Sequence, residues 1–221
     1  MKITGFKTTL VDVPLDRPIA TAIHQMKSVG CVLLELETDE GLVGESLVQT
    51  LNGARLKTLH EMLLGFSHQV EGRDPHDVGA IWQDCWNEMN PIGHKGLTIY
   101  ALAAIDTACW DLIGKAAGQP LHRIFGACRD WVKTYASGGL WLSQSIDSLV
   151  EDAGQLIDAG FRAMKIRIGK PSISEDVERV RVVRDAIGDD IVLLADANQS
   201  LGVKHAIRLG RRLEQYNLGW F

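Results

Sequence analysis

The sequence has 221 residues, 46% of them apolar and 23% charged, with a formal net charge of −5. That is enough chain to bury a core in one large domain or two ordinary ones, and the acidic balance lacks the basic footprint that a nucleic-acid partner requires. No apolar run reads as long enough to cross a bilayer, the opening Met1-Lys2-Ile3-Thr4-Gly5-Phe6-Lys7 has no signal-peptide core, and Cys31, Cys85, Cys109 and Cys128 form no CxxC pair, so the expectation is a cytoplasmic protein with free thiols, no membrane association and no metal–thiolate centre.

Taken in order, residues 2–13 interleave Ile3, Phe6, Thr8 and Leu10 with polar residues and predict a strand that Pro14 and Pro18 end. Residues 15–27, with His24 and Gln25, read as irregular. A second strand over 30–38, the turn Asp39-Glu40-Gly41 and a third strand over 42–49 complete an antiparallel meander. Helical spacing follows over 54–65 (Leu56, Leu59, Met62, Leu63). Asp74 as N-cap and Pro75 at the first helical position then start a helix through Val78, Ile81, Trp82, Cys85 and Trp86. Residues 97–117 form a long apolar helix, buried on most sides, that Gly118-Gln119-Pro120 stops. Trp82, Trp86 and Trp110 read as core, and His94, His122 and His205 as structural.

From residue 132 strands and helices alternate. Strands are predicted over 132–137, 161–169 and 191–195, and helices over 145–159 (Ser145 as N-cap), 174–187 (Ser174 as N-cap, Asp176 and Glu178 at the positive end) and 203–216. Residues 218–221 open a fourth strand. The expected organisation is an α+β domain over 1–128, then a parallel β/α domain over 129–221, either a barrel or an open doubly wound sheet. No GxGxxG or Walker motif favours a nucleotide.

Within the second domain, the predicted strands place charged groups at their carboxyl ends. Alternation puts Lys165 and Arg167 on one face, and Asp196 and Asn198 on another shared face. Ligands of parallel sheets sit at those strand ends, so two cations beside a carboxylate and a carboxamide suit an anionic substrate and a metal. Read alone, the same residues also serve as solvated strand-end cations and as a helix cap, the cap falling more naturally on Asn198 or Ser200.

The helix Ala101-Leu102-Ala103-Ala104-Ile105-Asp106-Thr107-Ala108-Cys109-Trp110-Asp111-Leu112-Ile113-Gly114-Lys115, followed by Gln119-Pro120-Leu121-His122-Arg123-Ile124-Phe125-Gly126, closely resembles the signature of the mandelate racemase/muconate lactonizing branch of the enolase superfamily. The resemblance runs through the whole chain in order. It implies a capping domain followed by a (β/α)8 barrel of the TIM type, of which about three β/α units lie here. It further implies Mg²⁺, with Asp196 as a metal ligand, and a site at Lys165-Ile166-Arg167, where the family carries Lys-x-Lys. His24, Gln25 and Asn198 become substrate contacts, the early loop closing over a small carboxylate. A homo-oligomer is also implied. Asp106 and Asp111, in the signature, are expected to hold hydrogen bonds rather than do chemistry.

Removing a proton alpha to a carboxylate needs a base and strong stabilisation of the charge that develops; enolase-superfamily sites supply a Lys or His base with Mg²⁺. Arginine stays protonated and is a poor base, so Arg167 is expected to clamp a substrate carboxylate with Lys165 beside it. Dehydration of an acid sugar (aldonate or aldarate) is the first expectation, racemisation or epimerisation of a 2-hydroxy acid the second and cycloisomerisation the third. The family's next metal ligand would fall one position past Trp220-Phe221. The 221 residues taken literally are therefore expected to be inactive, and a non-catalytic truncated product is the alternative from a different class.

Overall fold

The computed structural model describes Met1–Phe221. It opens with β1 (Ile3–Ala20), β2 (Gln25–Thr38) and β3 (Val43–Leu51), in sheet order β1-β2-β3. β2 and β3 are antiparallel, with Val32 opposite Val48. Alternation is clean in β2, where Val32, Leu34 and Leu36 are buried and the residues between them less so. β1 departs from expectation by continuing through Pro14 and Pro18, and the stretch expected to be irregular shrinks to a turn at Thr21–His24. The reason is position: β1 is an edge strand, where proline's fixed φ fits extended backbone and its missing N–H need not serve a ladder.

The helices of this half are α1 (Leu56–Gly65), α2 (Ser67–Val70), α3 (Val78–Glu88), α4 (Leu97–Ala117) and α5 (Leu121–Ile124). A short 3₁₀ turn, Pro75–Asp77, precedes α3; the Asp74 carboxylate accepts the His76 N–H at 3.0 Å and caps it. α4 lies flush on β3 because its contact face is small: Ala101, Ala104, Ala108 and Cys109 are buried, and a Cβ on Gly44 of β3 would run into the Ala108 carbonyl. Ser46 Oγ donates to Ala104 O at 2.7 Å. The Glu45 N–H donates to Asp111 at 2.8 Å, and Lys115 Nζ reaches both Asp111 (2.7 Å) and Glu45 (2.8 Å). The signature thus fastens a helix to a strand, and Asp111 holds hydrogen bonds as expected.

α4 corrects one expectation: its 21 residues, with a mean hydropathy of 1.3 over an 18-residue stretch, are long and apolar enough to cross a membrane by length and composition. Its apolarity is used inside the core, where Leu102, Ile105 and Leu112 pack with Leu59, Leu63 and Ile81. The tryptophans sit at the margin of that core rather than within it. Trp86 stacks on Trp82 at 4.9 Å and on His94 at 3.8 Å, and the His94 ring meets Trp86 O at 2.9 Å.

All four cysteines are free. Burial pushes the Cys85 and Cys109 thiols up to about 12. A folded pKa raised above the unfolded value of about 8.5 contributes stability below that value and loses it as pH climbs toward the folded one. Stability is therefore expected to fall as pH rises from about 9 toward 12. At pH 8 an aromatic disulfide reagent is expected to label exposed Cys128 rapidly, and Cys85 and Cys109 only after denaturant is added, which thiol titration with and without urea reads directly.

The second half contains α6 (Ile146–Asp158), β4 (Ala163–Arg167), α7 (Ile173–Ile187), β5 (Val192–Asp196) and α8 (Val203–Leu213), with a 3₁₀ turn at Glu214–Tyr216. β4 and β5 are parallel, Arg167 opposite Asp196. Ser145 caps α6 through Ser148 N–H. Ser174 does not cap α7: Ser172 holds the N-cap position and Ser174 lies within the helix. Gly202, rather than Asn198 or Ser200, precedes α8. The strand expected over 132–137 is reduced to one bridge, Ala136 to Met164, and just beyond it Gly139 (φ 81°) and Leu140 (φ 48°) turn the backbone away from extended geometry. The segment still follows β4, with Lys165 N–H donating to Ala136 O and Arg167 N–H to Leu140 O, both at 2.9 Å. Residues 218–221 are not a regular strand, yet Gly219 N–H donates to Leu193 O and Ala195 N–H to Trp220 O.

The chain divides into two units, Met1–Asp16 with Lys27–Asp130, and Arg17–Met26 with Trp131–Phe221. The turn between β1 and β2 therefore belongs with the second unit, where Leu142 N–H donates to Ala20 O at 3.1 Å.

Candidate active site

Alternation along β4 and β5 sorts the two strands into two faces. Met164, Ile166, Leu193 and Ala195 are fully buried among apolar residues of α6, α7 and α8. The other face carries Lys165, Arg167, Leu194 and Asp196, so one side of the sheet is core and the other is chemistry.

On that second face Lys165 Nζ lies 3.3 Å from Asp196 Oδ2, and Arg167 Nε lies 3.9 Å from the same oxygen. Lys165 is 9% exposed and Arg167 6%. The Arg167 guanidinium packs over the Trp141 ring at 4.8 Å, and Lys165 over Tyr135 at 5.7 Å. Arg167 Nη2 reaches Ser137 O only at 3.5 Å, while its buried Nε and Nη1 have no hydrogen-bond partner. A buried donor without a partner is costly, and Arg167 carries two of them beside a carboxylate. Burial lowers the Arg167 pKa against the opposing pull of Asp196, and the guanidinium remains a cation. For Asp196, burial pushes the carboxyl up, but the Asn198 N–H, Lys165 and Arg167 together outweigh it and hold the carboxyl below its usual range.

Asn198 reaches this cluster by a different route from strand alternation. β5 ends at Asp196, and Asn198 (φ 48°) and Gln199 (φ 63°) are left-handed residues of a turn. Asn198 N–H donates to Asp196 Oδ1 at 2.8 Å, and its side-chain Oδ1 is buried without a partner. His24 and Gln25 are exposed at the Thr21–His24 turn, which is closed by Thr21 N–H on His24 O at 2.9 Å. The turn approaches the strand ends through Ala22: a Cβ on Gly169 (φ 112°) would fall 2.5 Å from Ala22 Cβ and 2.8 Å from Ser200 Oγ. The structure gathers Lys165, Arg167, Asp196 and Asn198, while His24 and Gln25 are exposed.

Sequence reasoning missed the aromatic platforms Tyr135 and Trp141, which no spacing announces. It also missed Arg179, and it read Asp176 correctly as a first-turn charge of the helix but without its buried backbone contacts. Asp176 is fully buried, and its carboxylate accepts the Gly169 and Lys170 N–H groups at 3.0 and 3.1 Å. A signal was available, since both charges sit in the apolar stripe of Val180, Val183 and Ile187. As for a metal, no three His, Cys, Asp or Glu side chains converge. Mg²⁺ takes oxygen ligands, so these residues fit as one ligand, Asp196, and not as a complete site.

Two family models match. "Mandelate racemase / muconate lactonizing enzyme, N-terminal domain" covers residues 4–126, and "Enolase C-terminal domain-like" covers 148–221. Among curated relatives, the L-talarate/galactarate dehydratase of Salmonella typhimurium is 31% identical over 99% of this chain and 56% of its own length. The D-galactarolactone cycloisomerase of Agrobacterium fabrum is 34% identical over 100% and 58%. The Salmonella dehydratase liganded with Mg and L-lyxarohydroxamate superposes with a TM-score of 0.94 at 29% identity, over 99% of this chain and 57% of that one. A racemase from Streptomyces coelicolor A3(2) with bound magnesium superposes at 0.91 with 31% identity, over 99% and 61%. The chain thus spans less than three fifths of the length of those two curated relatives. On the match over residues 4–126, the chain belongs to the mandelate racemase/muconate lactonizing enzyme family of the enolase superfamily.

Proposed function

We propose that the whole protein, to whose site these residues contribute one part, works with Mg²⁺ to remove the proton alpha to the carboxylate of an acid sugar, and that the net reaction is dehydration of an aldonate or aldarate. The observation that carries the reading is Arg167, buried, with two unpaired N–H donors beside Asp196. The dehydratase and cycloisomerase relatives support an acid-sugar substrate. The second unit is read as the opening of a (β/α)8 barrel after a capping domain over residues 1–128; parallel β4–β5 and the backbone bonds from 219–220 to β5 support this. The polar face of β4–β5 then faces the barrel interior at the carboxyl ends of its strands, where such barrels place their chemistry. A cytoplasmic homo-oligomer completes the reading.

In this site Arg167 grips one substrate carboxylate oxygen pair with its planar fork. Lys165 adds a second cation, so negative charge developing on that carboxylate is met by fixed donors. Asp196 would be one Mg²⁺ ligand, the other oxygens coming from elsewhere; the bound ion supplies Lewis-acid charge to the substrate carboxylate. Arg167 does not take the proton. Asn198 Oδ1 is free to accept from a substrate hydroxyl, and the turn bearing His24 and Gln25 closes over the strand ends. Racemisation or epimerisation is the second reading, favoured by the racemase with bound magnesium.

Incubation of the whole protein, which supplies the oxygen ligands that Asp196 alone does not, with Mg²⁺ and acid sugars in D₂O separates these readings. Loss of the alpha-proton signal with formation of a 2-keto-3-deoxy acid supports dehydration. Deuterium entering recovered substrate or its epimer supports the second reading. No deuterium incorporation and no product from any hexarate or pentonate rejects both.

A further inference from the structure

Asp176 and Arg179 are buried charges on α7, at 0% and 3% exposure, set among buried Val177, Val180 and Val183, with Arg184 a third buried charge further along the helix. A buried charge is costly unless it is fully engaged, so what these two hold is informative. Arg179 Nη1 donates to Gln144 O and Nη2 to Trp141 O, both at 2.9 Å, and Nη2 also reaches Arg167 O at 3.4 Å. Its three acceptors come from two separate segments, the 141–144 stretch and the carboxyl end of β4. Those segments carry the two members of one stack, the Trp141 ring and the Arg167 guanidinium. Asp176, one turn earlier on the same helix, binds the Gly169 and Lys170 amides just beyond β4. One face of α7 therefore fixes the backbone on both sides of the stack.

We infer that Arg179, supported by Asp176, is a positioning residue: it sets the Trp141 platform against Arg167 and so aims the two unpaired Arg167 donors into the site. The task assigned to those donors rests on the reading of Arg167 as a carboxylate clamp; their orientation is testable without it. Lysine at 179 keeps the charge but is a single point donor that cannot span three carbonyls.

The experiment follows the arginine Nε–Hε signals of the ¹⁵N-labelled protein, with Arg167 identified by the signal lost in R167K. An Arg167 held over an indole face resonates upfield of exposed arginines. In folded R179K that signal is expected to move back to the exposed-arginine position. V183A, a cavity in the same helix, serves as the stability control and is expected to leave it in place. If R179K does not fold, W141A decides, since it must move the Arg167 signal and leave that of Arg179. An unmoved Arg167 signal in folded R179K, or in W141A, overturns the proposal. Titrating the unaltered protein with galactarate tests the clamp reading separately, so the two can fail independently.

Discussion

Alanine in place of Gly169 is expected to destabilise the protein by about 3 kcal/mol, from left-handed backbone strain and overpacking of about 1–3 kcal/mol each. The residue sits at φ 112°, where a side chain is strained whatever the space, and its Cβ would strike Ala22 and Ser200. Its N–H also donates to Asp176, so the backbone cannot swing away without leaving a buried carboxylate short of a donor. Urea unfolding should show a lower midpoint at unchanged slope. Because the struck atom belongs to the Arg17–Met26 segment, trypsin should also cut after Lys27, just beyond it, faster in the folded variant. An unchanged midpoint and cutting rate would mean that the Ala22 turn moves aside freely and is not seated on the end of β4.

The second large effect is expected at Arg167. In R167K the charge stays but the fork is lost, and a carboxylate ligand should bind on the order of 100-fold more weakly, equivalent to about 2–3 kcal/mol for a charged hydrogen-bonding pair. Calorimetric titration with galactarate in the presence of Mg²⁺ measures it. Equal affinity of R167K and the unaltered protein would remove the bidentate role. Faster alpha-proton exchange in R167K would instead make position 167 a place for a base, and would shift the reading of this site toward two-base chemistry.

The sequence was most legible where local physics and tertiary packing agree. α4 matches its expected span, because its stop signal is Gly118-Gln119-Pro120 and its apolar content is needed against β3. Asp74-Pro75 and Ser145 were legible as caps because each side-chain oxygen has a local N–H to accept. The gathering of Lys165, Arg167 and Asp196 followed from strand alternation and parallel pairing alone. What stayed hidden depends on neighbours distant in sequence. β1 survives two prolines because it is an edge strand, a fact of sheet order. Ser174 looked like a cap, but α7 begins two residues earlier. Trp141 and Arg179 matter through a ring stack and three carbonyls, which no spacing encodes. Arg184 is similar: its guanidinium ties the carbonyls of Gly188, Ile191, Tyr216 and Asn217, binding α7 to the segment that leads into β5 and to the segment after α8.

The allocation of Arg17–Met26 to the second unit also bears on the order in which the chain can fold. The segment leaves the ribosome early, among the strands of the first unit, yet its seats at Leu142 and Gly169 are made much later. Contacts so far apart in sequence form late, after loop closure has been met. A nascent chain arrested before residue 142 thus carries a β1–β2 connection without its seats, and that connection docks only after α6 and β4 have followed it out.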